Sequence, residues 1–374
     1  MTNKLYAASC ELTQDSVVIR AGRNDEYDLP NLWLRDNCCC DECRVVETQE
    51  KRFILSSVTA DLAPEEARVE QDRLSILWAD GHRSEFSLQG ILQLLEPPTQ
   101  YHQSWPVDFI PASFGWQEFL THQATTVSAI QRFMQQGAII LTKAPTEAES
   151  LELLAPVLGP IRELLFDRIH NVSVTGHVYN IAHTSLGLPP HNDFASYSFP
   201  PSVQALHMLQ NDTPGGESVI VDGWAIGERL RREYPQHFAI LCEFPVPFRE
   251  FDEDNETYTV APIIGCDTEG NIVSLRFSNQ LMQMMNPMQR GIKAFYKAYH
   301  VLCSSIMDRD SPARATFRLN SGEVLLVAAH RVLHAREPFQ SVGVRHLQDA
   351  YFELDNVVNK LRQLEMRVGH GYVR

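Results

Sequence analysis

The chain has 374 residues, more than one compact core usually holds and comfortable for two domains. Its 44% hydrophobic and 21% charged content is that of a globular protein, not a disordered one. The net charge of -15, from 32 basic against 47 acidic side chains, argues against a nucleic acid or an anionic membrane as partner.

At the amino end, Met1-Thr2-Asn3-Lys4-Leu5 lacks the apolar core of a signal peptide. No apolar run approaches the roughly 20 residues of a membrane span, so a soluble, cytoplasmic protein is expected. Residues 1–96 read as a small β-rich domain. Ser16-Val17-Val18-Ile19-Arg20 is strand-like, and Leu74, Ile76 and Trp78 recur at every second position before Asp80-Gly81 turns the chain. Asp-Gly after such a pattern is a hairpin signal. Four of the eight cysteines crowd into six positions as Cys38, Cys39, Cys40 and Cys43. A disulfide framework would space them more evenly, whereas crowded cysteines in a cytosolic chain bind metal more often. Cys38, Cys40 and Cys43 with His82, just past the turn, make a closed Cys₃His set suited to structural zinc. Cys39 leaves the register open, since a Cys39–Cys43 spacing also fits.

Residues 97–113 hold Pro97, Pro98, Pro106 and Pro111 and read as a linker to a second domain over 114–374. There short strands mix with helices. Ala138 to Leu141, Val203 to Leu209, Ser218 to Val221 and Val324 to Val327 are expected strands. Ile292, Phe295, Tyr296, Tyr299 and Leu302 give helical spacing over 288–307. Asp355 is the expected cap of a last helix carrying Val357, Val358, Leu361 and Leu364.

Within this second domain His191-Asn192-Asp193 offers an imidazole and a carboxylate, and His334 follows Asp193 by 141 residues at the mouth of a buried strand. Two imidazoles and one carboxylate cap one face of a non-haem Fe(II) and leave positions open for a cosubstrate and O₂. Arg345, 11 residues after His334, can pair bidentately with the far carboxylate of 2-oxoglutarate. The Ser218 hydroxyl, after Pro214-Gly215-Gly216-Glu217, can reach the same carboxylate. Two other classes compete. A zinc hydrolase built on His191, Asp193 and His334 leaves Arg345 and Ser218 without a task. An inactive, zinc-stapled interaction module would be expected to have lost a ligand.

Three stretches carry a resemblance: Asn31-Leu32-Trp33-Leu34-Arg35-Asp36-Asn37-Cys38; Gly215-Gly216-Glu217-Ser218 with Val221-Asp222-Gly223; and Arg331-Val332-Leu333-His334-Ala335-Arg336. From Leu32 to Leu354 the chain resembles the γ-butyrobetaine hydroxylase family of Fe(II)- and 2-oxoglutarate-dependent dioxygenases. The resemblance implies a mostly β, α+β protein: a double-stranded β-helix (jelly-roll) catalytic domain behind a small zinc-binding β domain. It implies Fe(II) at His191, Asp193 and His334, 2-oxoglutarate at Arg345 and Ser218, and a homodimer.

It also implies a substrate with a trimethylammonium head in an aromatic cage, where cation–π attraction acts, and an acid end held by asparagines. Carried over residue by residue, the asparagines are Asn180 and Asn279, and two cage rings are Tyr351 and Phe166. Two further aromatic positions hold His170 and His183 here, with Phe194 and Tyr197 as candidate replacement rings. Histidines add donors and possible charge, and Arg276 lies near Asn279. The expectation therefore leans from γ-butyrobetaine, hydroxylated to carnitine, toward 2-(trimethylamino)ethylphosphonate, whose anion carries more charge.

Overall fold

The computed structural model describes residues 9–21, 25–94, 102–164, 167–173, 184–252 and 254–367. The chain divides into two compact units, Met1–Gln100 and Tyr101–Tyr372.

The first unit holds two three-stranded antiparallel sheets. One is β1 (Ser9–Leu12), β2 (Ser16–Ala21) and β3 (Asp25–Pro30); the other is β4 (Pro64–Glu70), β5 (Arg73–Trp78) and β6 (Arg83–Ser87). The alternation legible in β5 places Leu74, Ile76 and Trp78 in a core with Val17, Ile19 and Leu34, all of them nearly inaccessible. A short helix, Asn31–Asp36, follows β3 and leads into the cysteines.

The second unit is built on two facing sheets. The larger contains β7 (Ala112–Gly115), β8 (Ala138–Thr142), β9 (His170–Ser173), β11 (Val203–Asn211), β18 (Glu323–Ala328) and β20 (Arg345–Phe352), in the order β7-β8-β18-β11-β20-β9. The smaller contains β10 (Leu188–His191), β12 (Ser218–Asp222), β17 (Arg314–Phe317) and β19 (Val332–Arg336), in the order β10-β19-β12-β17. Apart from the β7–β8 pair, the neighbours in both sheets are non-consecutive, the connectivity of a double-stranded β-helix. Two hairpins, β13 (Val246–Phe251) with β14 (Glu256–Ala261) and β15 (Ile264–Cys266) with β16 (Ile272–Leu275), lie between β12 and the helix Ile292–Met307. The helices Gln123–Gln136 and Leu354–Arg367 pack on the larger sheet's core through Ile130, Phe133, Val357 and Leu361.

Three expectations need correction. The stretch 97–113 is not wholly a linker: Trp105 and Phe109 are buried and stacked at 4.3 Å in the core of the second unit. Prolines mark a break in regular structure, but two aromatics can still anchor the chain that carries them. The helix read over 288–307 begins at Ile292, after Gly291 in the left-handed conformation. Asp355 lies in the first turn of the last helix rather than at its cap, and the Leu354 N–H is taken by the Ser202 hydroxyl at 2.7 Å. No helix among the described residues is long and apolar enough to cross a membrane.

Candidate active site

Strand pairing brings the metal-binding candidates together. His191 ends β10 opposite His334 in β19, and their ring centroids are 4.3 Å apart. Asp193, two residues on, sets Oδ1 at 3.1 Å from His191 Nε2 and 3.7 Å from His334 Nε2. Ligand atoms at right angles on an octahedral ion with ~2.1 Å bonds lie roughly 3 Å apart, so the three atoms fit one iron. His191 Nδ1 lies 2.9 Å from the Pro189 carbonyl, which only accepts, so Nδ1 carries the proton and Nε2 keeps its lone pair. Burial pushes the His334 imidazole down to about 4, the neutral form a ligand needs. Burial acts to raise Asp193, but His334, His191 and the Tyr351 hydroxyl outweigh it and hold the carboxyl well below the usual range.

The far oxygen of Asp193 is fixed from the larger sheet. Oδ2 accepts from the Tyr351 hydroxyl at 2.6 Å and from Gln204 Nε2 at 2.6 Å. Both donors also reach Asp349 Oδ2, at 2.7 and 3.0 Å. Gln204 and Tyr351 are register partners in β11 and β20, so one rung holds the carboxylate. Asn192 locks the turn itself: its Nδ2 donates to the Ala329 carbonyl, and its Oδ1 accepts from the Phe277 N–H.

Alternation along β20 puts Arg345, Leu347, Asp349 and Tyr351 on one face, spanning about 20 Å. A cavity of about 90 Å³ is lined by His191, Asp193 and His334 at one end and by Ser218, Arg336 and Arg345 at the other. Arg345 is buried, and its Nε meets no hydrogen-bond acceptor among the described residues. Burial, helped by the charges of Arg336 and Arg318, lowers it to about 10, so it stays a cation at neutral pH. A buried, unneutralised guanidinium at the end of a cavity fits a carboxylate, and Ser218 stands on the same wall. The turn before Ser218 requires glycine. Gly215 and Gly216 have φ of +80° and +72°, and a Cβ on Gly215 would come within 2.8 Å of the Pro338 carbonyl.

Beside the carboxylate ligand, Phe194 packs edge-on against Tyr197 and Tyr351, each at 5.1 Å, and His170 lies 5.5 Å from Tyr351. His170 directs Nε2 at the Asp167 carbonyl (2.8 Å) and Nδ1 at Asp349 Oδ1 (3.3 Å). Burial pulls it down, but Asp349 outweighs this and the imidazole sits above its usual value. Two other sequence candidates do not join this cluster. Arg276 donates to the Ala195, Tyr197 and Ser198 carbonyls, so it clamps the loop carrying Phe194 and Tyr197. Asn279 is exposed and accepts from the Tyr299 hydroxyl at 3.2 Å. Phe166, Asn180 and His183 lie outside the described residues.

In the first unit, Cys38, Cys40 and Cys43 Sγ stand 3.3, 3.6 and 3.5 Å from His82 Nε2. A tetrahedral zinc with ~2.3 Å sulfur and ~2.0 Å nitrogen bonds puts such atoms about 3.5 Å apart. Glu42 approaches His82 Nδ1 at 3.4 Å, and the Asp80 carboxylate accepts the His82 backbone N–H at 3.0 Å. Cys39 is exposed and turns to the Asn37 carbonyl, outside the cluster.

The chain belongs to the taurine catabolism dioxygenase TauD, TfdA family, whose profile matches residues 98–351. Residues 10–91 match the gamma-butyrobetaine hydroxylase-like N-terminal profile. It is 30% identical to gamma-butyrobetaine dioxygenase of Pseudomonas sp. (strain AK-1), over 90% of each chain. It is 26% identical to gamma-butyrobetaine dioxygenase of Homo sapiens, over 93% of this chain and 94% of that one. Mitochondrial trimethyllysine dioxygenase of Gallus gallus is 25% identical, over 90% of this chain and 83% of that one. The protein is thus a 2-oxoglutarate-dependent dioxygenase of the γ-butyrobetaine hydroxylase type, using iron and O₂ and carrying a Cys₃His site suited to structural zinc.

Proposed function

We propose that the enzyme hydroxylates a small zwitterion bearing a trimethylammonium group, giving the alcohol, succinate and CO₂. The observation that carries this reading is the cluster of Phe194, Tyr197 and Tyr351 rings beside Asp193, a surface that attracts a quaternary cation. The names of the relatives, which act on γ-butyrobetaine and trimethyllysine, support it.

In this reading His191, Asp193 and His334 hold the iron. Arg345 and Ser218 hold the distal carboxylate of 2-oxoglutarate. Iron, 2-oxoglutarate and O₂ together supply an oxidant strong enough to take hydrogen from an unactivated C–H bond. The protein's own residues fix geometry. Tyr351 and Gln204 orient Asp193, Asn192 pins the ligand turn, and buried Leu325, Leu347 and Val219 keep the cavity apolar between its two polar ends.

For the anionic end, two substrates stand: γ-butyrobetaine and 2-(trimethylamino)ethylphosphonate. Neither Arg276, which donates to three backbone carbonyls, nor His170, whose ring nitrogens face the Asp167 carbonyl and Asp349, decides between the two. The deciding experiment measures succinate formation with Fe(II), 2-oxoglutarate and O₂ over γ-butyrobetaine, the phosphonate, trimethyllysine and taurine. Mass spectrometry follows a product one oxygen heavier. Coupled hydroxylation of one quaternary ammonium compound is the expected result; turnover of taurine alone, or of none by iron-loaded protein, removes the trimethylammonium reading. We also propose a homodimer, which sedimentation tests directly.

A further inference from the structure

One carboxylate at the site has no task in the scheme above. Glu250 lies on the same face of β13 as Val246 and Phe248, which are buried at 0% and 1% exposure, so alternation turns it inward. It stands opposite Thr257 in the β13–β14 hairpin. The buried Ser196 hydroxyl joins that hairpin to the loop carrying the aromatic rings, lying 2.7 Å from Thr257 Oγ1 and 3.5 Å from Glu250 Oε2. The Ser196 contact is at the far limit of a hydrogen bond, and no Lys or Arg among the described residues pairs with Glu250. Its neighbour Arg249 is held by Glu256 instead. A half-buried carboxylate without a cation is costly unless a ligand supplies one.

We propose that Glu250 is the counter-ion of the substrate's quaternary ammonium and sets the enzyme's preference for a cationic head group. The inference rests on the trimethylammonium reading and adds a charge to the aromatic surface. Ser196 lies between Phe194 and Tyr197, so its contact places Glu250 beside the loop that bears both rings. Burial and the charge of Asp193 push the Glu250 carboxyl up to about 7, while His191 and His170 pull the other way. Rings alone attract a cation modestly; a carboxylate beside the loop that bears them adds discrimination against a neutral molecule of the same shape.

The test compares a cation with its neutral isostere. Whichever of γ-butyrobetaine and 2-(trimethylamino)ethylphosphonate the wild type hydroxylates is assayed beside the analogue with a tert-butyl group in place of trimethylammonium. Glu250→Gln keeps the shape and the Ser196 contact but removes the charge. Its KM for the cation should rise at least about tenfold with a smaller change in kcat, and the cation-to-neutral ratio of kcat/KM should fall by a similar factor. Glu250→Asp keeps the charge on a shorter arm and should retain part of the preference; it also carries the test if the amide variant does not fold. A wild-type ratio in the variants overturns the role of Glu250 while leaving the trimethylammonium reading intact. A wild-type enzyme that turns over neither cation removes both.

Discussion

Asp193 shows how much of a metal ligand's precision comes from residues that never touch the metal. One oxygen faces the two histidines; the other is held by Tyr351 and Gln204, which are themselves held by Asp349. Tyr351→Phe removes one of the two donors and keeps the ring. Iron affinity should fall about 10–100-fold with the fold retained, read by titration with Fe(II) or Mn(II); an unchanged affinity would leave the hydroxyl with no orienting role. His334→Ala removes a ligand outright and should abolish iron retention and turnover while the protein still melts cooperatively. Activity in that variant would take His334 out of the site. The cluster of His191, Asp193 and His334 was legible because a chelating set has fixed residue types and a telling spacing. Their supports were not, because the hydrogen bonds from Gln204 to Asp349 and Tyr351 cross 145 and 147 residues of chain and depend on register. A signal did exist: Gln204 stands among the apolar residues that open β11, and Asp349 is a carboxylate in a strand buried along almost its whole length. A polar group in a buried strand demands a partner. The three backbone carbonyls that Arg276 holds were not legible either, since a charge in a sequence does not disclose its hydrogen-bond partners.

Elements decide what single residues cannot. Cys39, Cys40 and Cys43 allow two spacings on paper, and only the chain direction after the Asn31–Asp36 helix turns Cys40 inward and Cys39 to solvent. Cys40→Ser should therefore release zinc and destabilise the first unit, whereas Cys39→Ser should keep the metal, by zinc analysis of both proteins. Equal zinc loss in the two would refute the assignment. A second element-level device lies at the end of β12. Asp222, fully buried, accepts from Arg331 Nε and Nη2 at 3.2 and 2.7 Å, and Arg331 also donates to the Gln103 and Gln135 carbonyls at 2.8 Å. The pair thereby fastens the stretch that the prolines had suggested was a linker. Breaking a buried, hydrogen-bonded ion pair by removing one partner costs about 3–5 kcal/mol. Asp222→Ala should lower the urea midpoint accordingly, and a shift under about 1 kcal/mol would mean that water replaces the carboxylate without penalty.

At the scale of the whole molecule, each unit has its own core and its own metal chemistry. The first core, around Leu34, Leu74 and Trp78, closes over fewer than 100 residues and gains from a metal staple. Among the described residues the second holds three apolar clusters, and His191, His334, Ser218 and Arg345 lie on strands of its two sheets, with Asp193 in the turn after β10. Ligands should therefore act on the two units separately. A metal with 2-oxoglutarate binds only the folded second unit, and at a hundredfold excess over Kd should stabilise it by about 2.7 kcal/mol. Stripping zinc should lower only the transition of the first unit. Calorimetry on the intact chain, with manganese in place of iron to prevent turnover, should resolve two transitions: one moved up by manganese and 2-oxoglutarate, the other moved down by a thiol-competitive chelator. A single transition displaced by both treatments would show that the units unfold together and would refute this division of labour. With two transitions, Arg345→Ala should abolish the rise given by 2-oxoglutarate and leave the zinc-dependent transition in place, if the buried guanidinium binds the distal carboxylate as proposed.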